Sequence, residues 1–230
     1  LMKLPLEDIK VLDFTRVLAG PYCTMVLADL GAEVIKIEAP NVGDDARAFG
    51  PYIGGESAYF MSLNRNKESI TLNLKSKKAI EIVKELVKKA DVVTENFKPG
   101  TMEKLGIGYE VLKEINPKII FASTSGFGQT GPYSNRPAYD GVIQAMGGIM
   151  SITGQKGGEP TRVGPSIADI IAGLFTAIGV LSALNKRKHT GEGMNVDVSM
   201  LDCQVGVLEN AISRYFVTGE SPKPMGNRHA

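Results

Sequence analysis

Apolar and polar positions along this chain switch repeatedly between two periods, one near two residues and one near 3.6. Lys10–Thr15 (KVLDFT) reads as a strand. Gly20–Leu30 then carries helical apolar spacing in Met25, Val26, Leu27 and Leu30, and Gly31 supplies the stop. Val34–Glu38 (VIKIE) is a second strand, and the alternation in Ser69–Leu74 (SITLNL) predicts a third. Ser76–Lys89 is an amphipathic helix, with Ala79, Ile80, Ile82, Val83 and Leu86 in a stripe and lysines opposite. Asp91–Phe97 and Lys118–Ser123 read as strands, Tyr139–Ile152 and Ser166–Leu184 as helices, Asn195–Ser199 as a last strand and Leu201–Val217 as a last helix.

Strands separated by helices imply parallel pairing, so the expected fold is α/β: a Rossmann-like, doubly wound, mainly parallel sheet. Residues 1–220 form one large domain on this reading. The closing SPKPMGNRHA has the proline and glycine texture of a linker, so residues 221–230 are expected to lead towards a second domain absent from this chain.

Composition changes this picture little. The chain has 230 residues, 43% hydrophobic and 22% charged, with a formal net charge of +1. That balance argues against a dedicated nucleic-acid binder, while leaving room for a small anion held by a few lysines. The two cysteines, Cys23 and Cys203, show neither metal-ligand spacing nor a disulfide framework. A reducing cytoplasm is the expected compartment, with no metal. The apolar run Ser166–Leu184 followed by Asn185-Lys-Arg-Lys-His imitates a membrane span. Asp169 in its first turn, together with Gly173 and Gly179, favours a buried core helix and no membrane.

Asp169 is the only ionisable side chain in VGPSIADIIAGLFTAIGVLSAL, residues 163–184. Burying a carboxylate among apolar groups is costly unless something pairs with it or uses it. Ser166-Ile-Ala-Asp169 fits a capping pattern that would put Asp169 near the third helical position, where a negative charge suits the helix dipole. A catalytic nucleophile is the other reading. Gly126-Phe-Gly-Gln-Thr-Gly131 matches the dinucleotide pattern literally, but that fingerprint needs a helix opening directly from the loop. Pro132-Tyr-Ser-Asn-Arg-Pro137 follows instead, so no NAD site is expected.

Six motifs occur in order: VLDFTRVLAGPYCTMVLADLGAEVIKIE (11–38), GDDARAFGP (43–51), NRNKESITLNLK (64–75), ENFKPG (95–100), GFGQTGPY (126–133) and ADIIAG (168–173). Together they resemble the class III CoA-transferases, the group that includes formyl-CoA and carnitine CoA-transferases and the related 2-methylacyl-CoA racemases. The resemblance implies the large-domain part of that fold, coenzyme A or acyl-CoA as bound substrate, a small carboxylic acid as acceptor, and an interlocked homodimer. It implies Asp169 as the nucleophile, attacking the thioester carbonyl to give an aspartyl mixed anhydride and then an aspartyl-CoA thioester. A carboxylate exchanges one activated acyl group for another, so the thioester's energy survives where hydrolysis would waste it.

CoA contacts carried over from the resemblance are Val17 and Ala19 after the first strand, Leu72 and Lys75 after the third, Asn96 and Phe97 ending the fourth, Lys104, and Tyr139 and Met200 beside the thioester. Ala39-Pro40 stands where some members have a basic residue against adenine, leaving Arg47 or Arg65 as substitutes. The racemase branch needs a second acid/base opposite the aspartate. Tyr139 occupies that branch's histidine position, and the chain's histidines, His189 and His229, are poorly placed. A transferase is therefore expected, with a racemase or a non-catalytic CoA-binding protein as alternatives.

Overall fold

The computed structural model describes residues 3–228. His229 lies outside the described residues. In chain order the elements are β1 (Lys10–Asp13), α1 (Ala19–Asp29), β2 (Glu33–Glu38), a 3-10 turn (Asp45–Ala48), β3 (Tyr52–Ile53), β4 (Glu56–Ser57), α2 (Ala58–Asn64) and β5 (Lys67–Thr71). Then follow α3 (Lys77–Val87), β6 (Val92–Glu95), α4 (Thr101–Lys104), α5 (Tyr109–Ile115) and β7 (Ile120–Ser125). The last are α6 (Asp140–Met146), α7 (Ile149–Ile152), α8 (Ile167–Thr190), β8 (Met194–Ser199), α9 (Met200–Gly206) and α10 (Asn210–Thr218).

Six strands form one sheet in the order β5-β2-β1-β6-β7-β8, and every pairing in it is parallel. Adjacent strand residues face opposite sides of the sheet, and here both sides are buried. Val11, Val34, Val92 and Ile120 join one apolar cluster with Cys23 and Leu27 of α1 and Ala177, Val180 and Ala183 of α8. Leu12, Ile37, Val93 and Phe121 join a second cluster with Val83 and Val87 of α3 and Leu112 of α5. The result is the expected doubly wound three-layer sandwich.

α8 is long and apolar enough by composition to cross a membrane, but its inner face packs on α1 and the sheet. The approach to α1 is close: a Cβ on Gly173 would stand 2.6 Å from the Ala19 carbonyl oxygen. The helix runs past Leu184 to Thr190, because its basic last turn suits the helix C-terminus and Gly191, with φ 75°, ends it.

Three other expectations need correction. The third strand of the sheet pairs over 67–71 rather than 69–74, since Asn73 folds into a turn by accepting the Lys75 N–H at 3.1 Å. The helix expected over 139–152 breaks at Gly148 (φ 90°), and the one over 201–217 breaks before Asn210 at Glu209 (φ 50°). The β3–β4 hairpin, α2, α4 and α5 carry too few residues for periodicity to reveal them. Residues 220–228 hold no helix or strand.

Candidate active site

In a sheet of this order the connections leave β1 and β6 in opposite directions, so a crevice opens beyond their carboxyl ends. A cavity of about 350 Å3 lies there. Its walls are the β1–α1 turn (Arg16–Ala19), the segment after β6 (Asn96–Pro99), the end of β7 (Thr124–Gly126), Arg136–Tyr139, Asp169 and Met200. A second cavity of about 320 Å3 adjoins it, sharing Arg16, Asp45 and Phe97. Ala39, Pro40, Val42, Leu72, Leu74 and Leu105 give this second space an apolar lining, with Lys75 beside them.

The β1–α1 turn is held by side chains from three elements. Lys36 Nζ donates to the Thr15 carbonyl at 2.7 Å and pairs with Asp44 at 2.8 Å, both side chains 1% exposed. Asn96 accepts the Arg16 N–H and donates to the Arg16 carbonyl, each at 2.8 Å. Asp44 Oδ1 accepts the Val17 N–H at 3.0 Å. These contacts fix Val17 at φ 65°, a left-handed conformation that a β-branched residue rarely adopts. Beneath the turn, the Asp13 carboxylate accepts from Thr15 and Thr24 and pairs with Lys67 at 3.3 Å. Burial alone would raise its pKa, but Lys67, Lys36 and the two hydroxyls outweigh that and hold it at about 2.

Asp169 sits in the first turn of α8, partly buried, at the wall of the larger cavity. Among the described residues nothing donates a hydrogen bond to its carboxylate. Burial, reinforced by the charge of Asp140, lifts its pKa from 3.8 to about 7. The capping alternative for Ser166 and Asp169 is not what the structure shows. Ser166 makes no side-chain cap, and the Ala168 N–H instead donates to Asp140 Oδ1 at 2.9 Å.

Seven of the sequence-derived residues meet at this cavity: Val17, Ala19, Asn96, Phe97, Tyr139, Asp169 and Met200. Leu72 and Lys75, with Phe97 again, line its neighbour. Lys104 is exposed on α4 and lines neither space. Arg47 and Arg65 do not fill the place opposite Ala39-Pro40. Arg47 is bound to Glu38 at 2.7 and 2.8 Å and lies 3.7 Å from the Phe60 ring centroid, and Arg65 is engaged with Asp29. His189 is in the last turn of α8, about 30 Å along the helix from Asp169 at about 1.5 Å per residue.

The sequence reading missed Arg16, Lys98 and Arg136, cations at the cavity wall, and Asp140. It also missed Tyr59 of α2, whose pKa is raised first by burial and then by the charge of Asp169. Arg16, Lys98 and Arg136 fall in loops, where periodicity carries no information. Arg16 and Lys98 had one signal, their position just after strand ends, whereas Arg136 sits deep in the β7–α6 loop and had none. The glycine loop after β7 is followed by a helix only at Asp140, so it lacks the helix N-terminus that the dinucleotide fingerprint requires.

Residues 6–230 match CoA-transferase family III. The chain belongs to this family. It is 51% identical over 226 residues to an acetyl-CoA:oxalate CoA-transferase of Acetobacter aceti, covering 98% of this chain and 58% of that protein. It is 46% identical over 226 residues to a succinyl-CoA:glutarate CoA-transferase of Homo sapiens, covering 98% and 52% respectively. A CaiB/BaiF family protein from Brucella suis superposes with a TM-score of 0.95 at 47% identity, over 99% of this chain and 61% of that one. The chain thus spans little more than half the length of the relatives it matches. Its six-stranded parallel sheet is the family III architecture seen in that neighbour.

Proposed function

We propose that the intact protein moves coenzyme A from an acyl-CoA donor to a small carboxylic acid, with Asp169 as the covalent nucleophile. The observation that carries this reading is a carboxylate, without a hydrogen-bond donor among the described residues, at the wall of a switch-point cavity. An Asp169 oxygen attacks the thioester carbonyl, the C–S bond breaks, and CoA leaves as thiolate. The thiolate attacks the aspartyl carbonyl, expelling the donor acid and leaving Asp169 as a CoA thioester. The acceptor carboxylate reverses both steps and restores Asp169. A poorly solvated carboxylate is a stronger nucleophile than one in water, and the buried setting limits hydrolysis of the anhydride.

Coenzyme A fits the two adjoining cavities taken as one cleft. The apolar slot at Ala39-Pro40 and Leu72 suits the adenine by packing rather than by an arginine stack. Arg16, Lys75 and Lys98 supply positive charge for its phosphates. The names of the relatives support small carboxylic acids as acceptors, oxalate and glutarate among them. On the same reading the protein works in the reducing cytoplasm as an interlocked homodimer. The two free, buried cysteines support the compartment, and the exposed Phe175 and Ile178 of α8 and Phe216 and Val217 of α10 support the pairing.

The test is to incubate the intact protein with a panel of acyl-CoAs, add hydroxylamine, and map the adduct by peptide mass spectrometry. A hydroxamate on Asp169 that disappears in Asp169→Ala is the expected result. CoA binding with no adduct across the panel would overturn the covalent mechanism in favour of a non-catalytic CoA-binding protein.

A further inference from the structure

Two carboxylates crowd the start of α8, and the structure treats them oppositely. Asp169 belongs to the helix and has no donor among the described residues, whereas Asp140 belongs to α6 and is engaged through both oxygens. Asp140 Oδ1 accepts the Ala168 N–H at 2.9 Å, and its Oδ2 accepts Gln144 Nε2 at 2.7 Å. Gln144 is itself completely buried, and its Oε1 accepts the Val163 N–H at 2.8 Å. Side chains one turn apart on α6 therefore stitch down both the helix N-terminus and the loop that leads into it.

This arrangement has a chemical consequence. A carboxylate near the third position of a helix can turn back to accept an exposed N–H at the helix start, as in a capping box. A carboxylate committed in that way is stabilised as the anion and is a weak nucleophile facing the wrong direction. Asp140 narrows that alternative by occupying one of those donors, the Ala168 N–H, from outside the helix.

We propose that Asp140 is the positioning residue of the Asp169 nucleophile: it takes over the cap of α8 so that the Asp169 carboxylate stays unengaged at the cavity. The inference rests on the nucleophile reading above. It assigns a role to a residue that lines neither cavity. Gln144 acts with it by fixing residues 163–165, so the helix start cannot drift.

The experiment compares Asp140→Ala with Asp140→Asn in the intact protein. Both remove the charge beside Asp169 and the acceptor for Gln144, but asparagine keeps one oxygen that accepts the Ala168 N–H, and alanine keeps none. The expected result is that Asp140→Ala slows hydroxamate formation on Asp169 by about fivefold relative to Asp140→Asn, the size of one lost cap. KM for acyl-CoA should stay within about twofold, because the cleft itself is untouched. Equal loading rates in the two variants, or a rise in KM that accounts for the whole loss, would overturn the proposal.

A second readout does not depend on turnover: the Asp169 carboxyl pKa, followed by carbon NMR. In Asp140→Ala the released side chain turns to the Ala168 N–H, so its pKa should fall below the value in Asp140→Asn; identical values overturn the proposal. If the wild-type protein forms no hydroxamate, the nucleophile reading fails, and this titration still decides the positioning. Should Asp140→Ala not fold, Asp140→Leu, which fills the same space without an acceptor, takes its place beside Asp140→Asn, with the same titration expected to separate them.

Discussion

Replacing Asp169 by asparagine removes an ionisation that the folded protein resists, so the variant should be more stable than wild type under alkaline conditions. The gap between 3.8 and about 7, at about 1.4 kcal/mol per pH unit, is worth about 4 kcal/mol. Water reaching the group through the cavity mouth screens it, so about 2 kcal/mol is the working figure. Below 3.8 both folded and unfolded chains hold the proton, and this source contributes no difference. Between 3.8 and about 7 only the unfolded chain has lost it, so wild-type stability falls as pH rises. Above about 7 the cost is complete and constant. Urea unfolding of the intact wild-type and Asp169→Asn proteins at about pH 5 and about pH 8.5 measures the effect. The advantage of the variant should grow between the two, reaching about 2 kcal/mol at the higher pH. Glu95, also raised to about 7 by burial, titrates in both proteins and cancels in the difference. An advantage that is absent, or equal at both pH values, would refute the claim that Asp169 is desolvated and unpaired.

Two further perturbations probe the frame around the cavity. Asp13→Asn leaves the buried Lys67 ammonium without its counter-ion, and should cost about 3–5 kcal/mol in urea unfolding near neutral pH. Because the Asp13 pKa is held at about 2, the stability it brings should be lost as pH falls from about 4 to about 2. Val17→Gly relieves the left-handed backbone while losing a partly buried side chain, whereas Val17→Ala loses packing and keeps the strain. The glycine variant should therefore be the more stable of the two by about 1 kcal/mol, reversing the usual order, and a more stable alanine variant would show that the turn carries no strain.

Much of this molecule was legible in one dimension. The strands at β1, β2, β6 and β7 are short apolar runs whose alternate residues feed two separate cores, and a chain with that pattern has few options but a parallel sheet covered on both sides. α3 was legible from its stripe, and Asp169 from being the single charge in an apolar stretch. The motif order carried the family and most of the cavity's lining. The segment 43–66 was illegible because its hairpin and short helix are held by contacts to distant residues, such as Arg47 with Glu38 and Arg65 with Asp29.

The sharpest division falls on the charges. The sequence by itself determined that Asp13 lies near the end of a strand, Lys36 within one, Lys67 just ahead of another and Asp169 at a helix start, but not what any of these charges meets. Only the tertiary structure decided that Lys36 and Lys67 reach beneath the β1–α1 turn to buried aspartates, and that Asp140 caps α8 in place of Asp169. The physical reason is that hydrophobic period reports which face of an element is buried, a local property. Which donor meets which carboxylate depends on residues tens of positions apart being brought within 3 Å, and no local pattern encodes that distance.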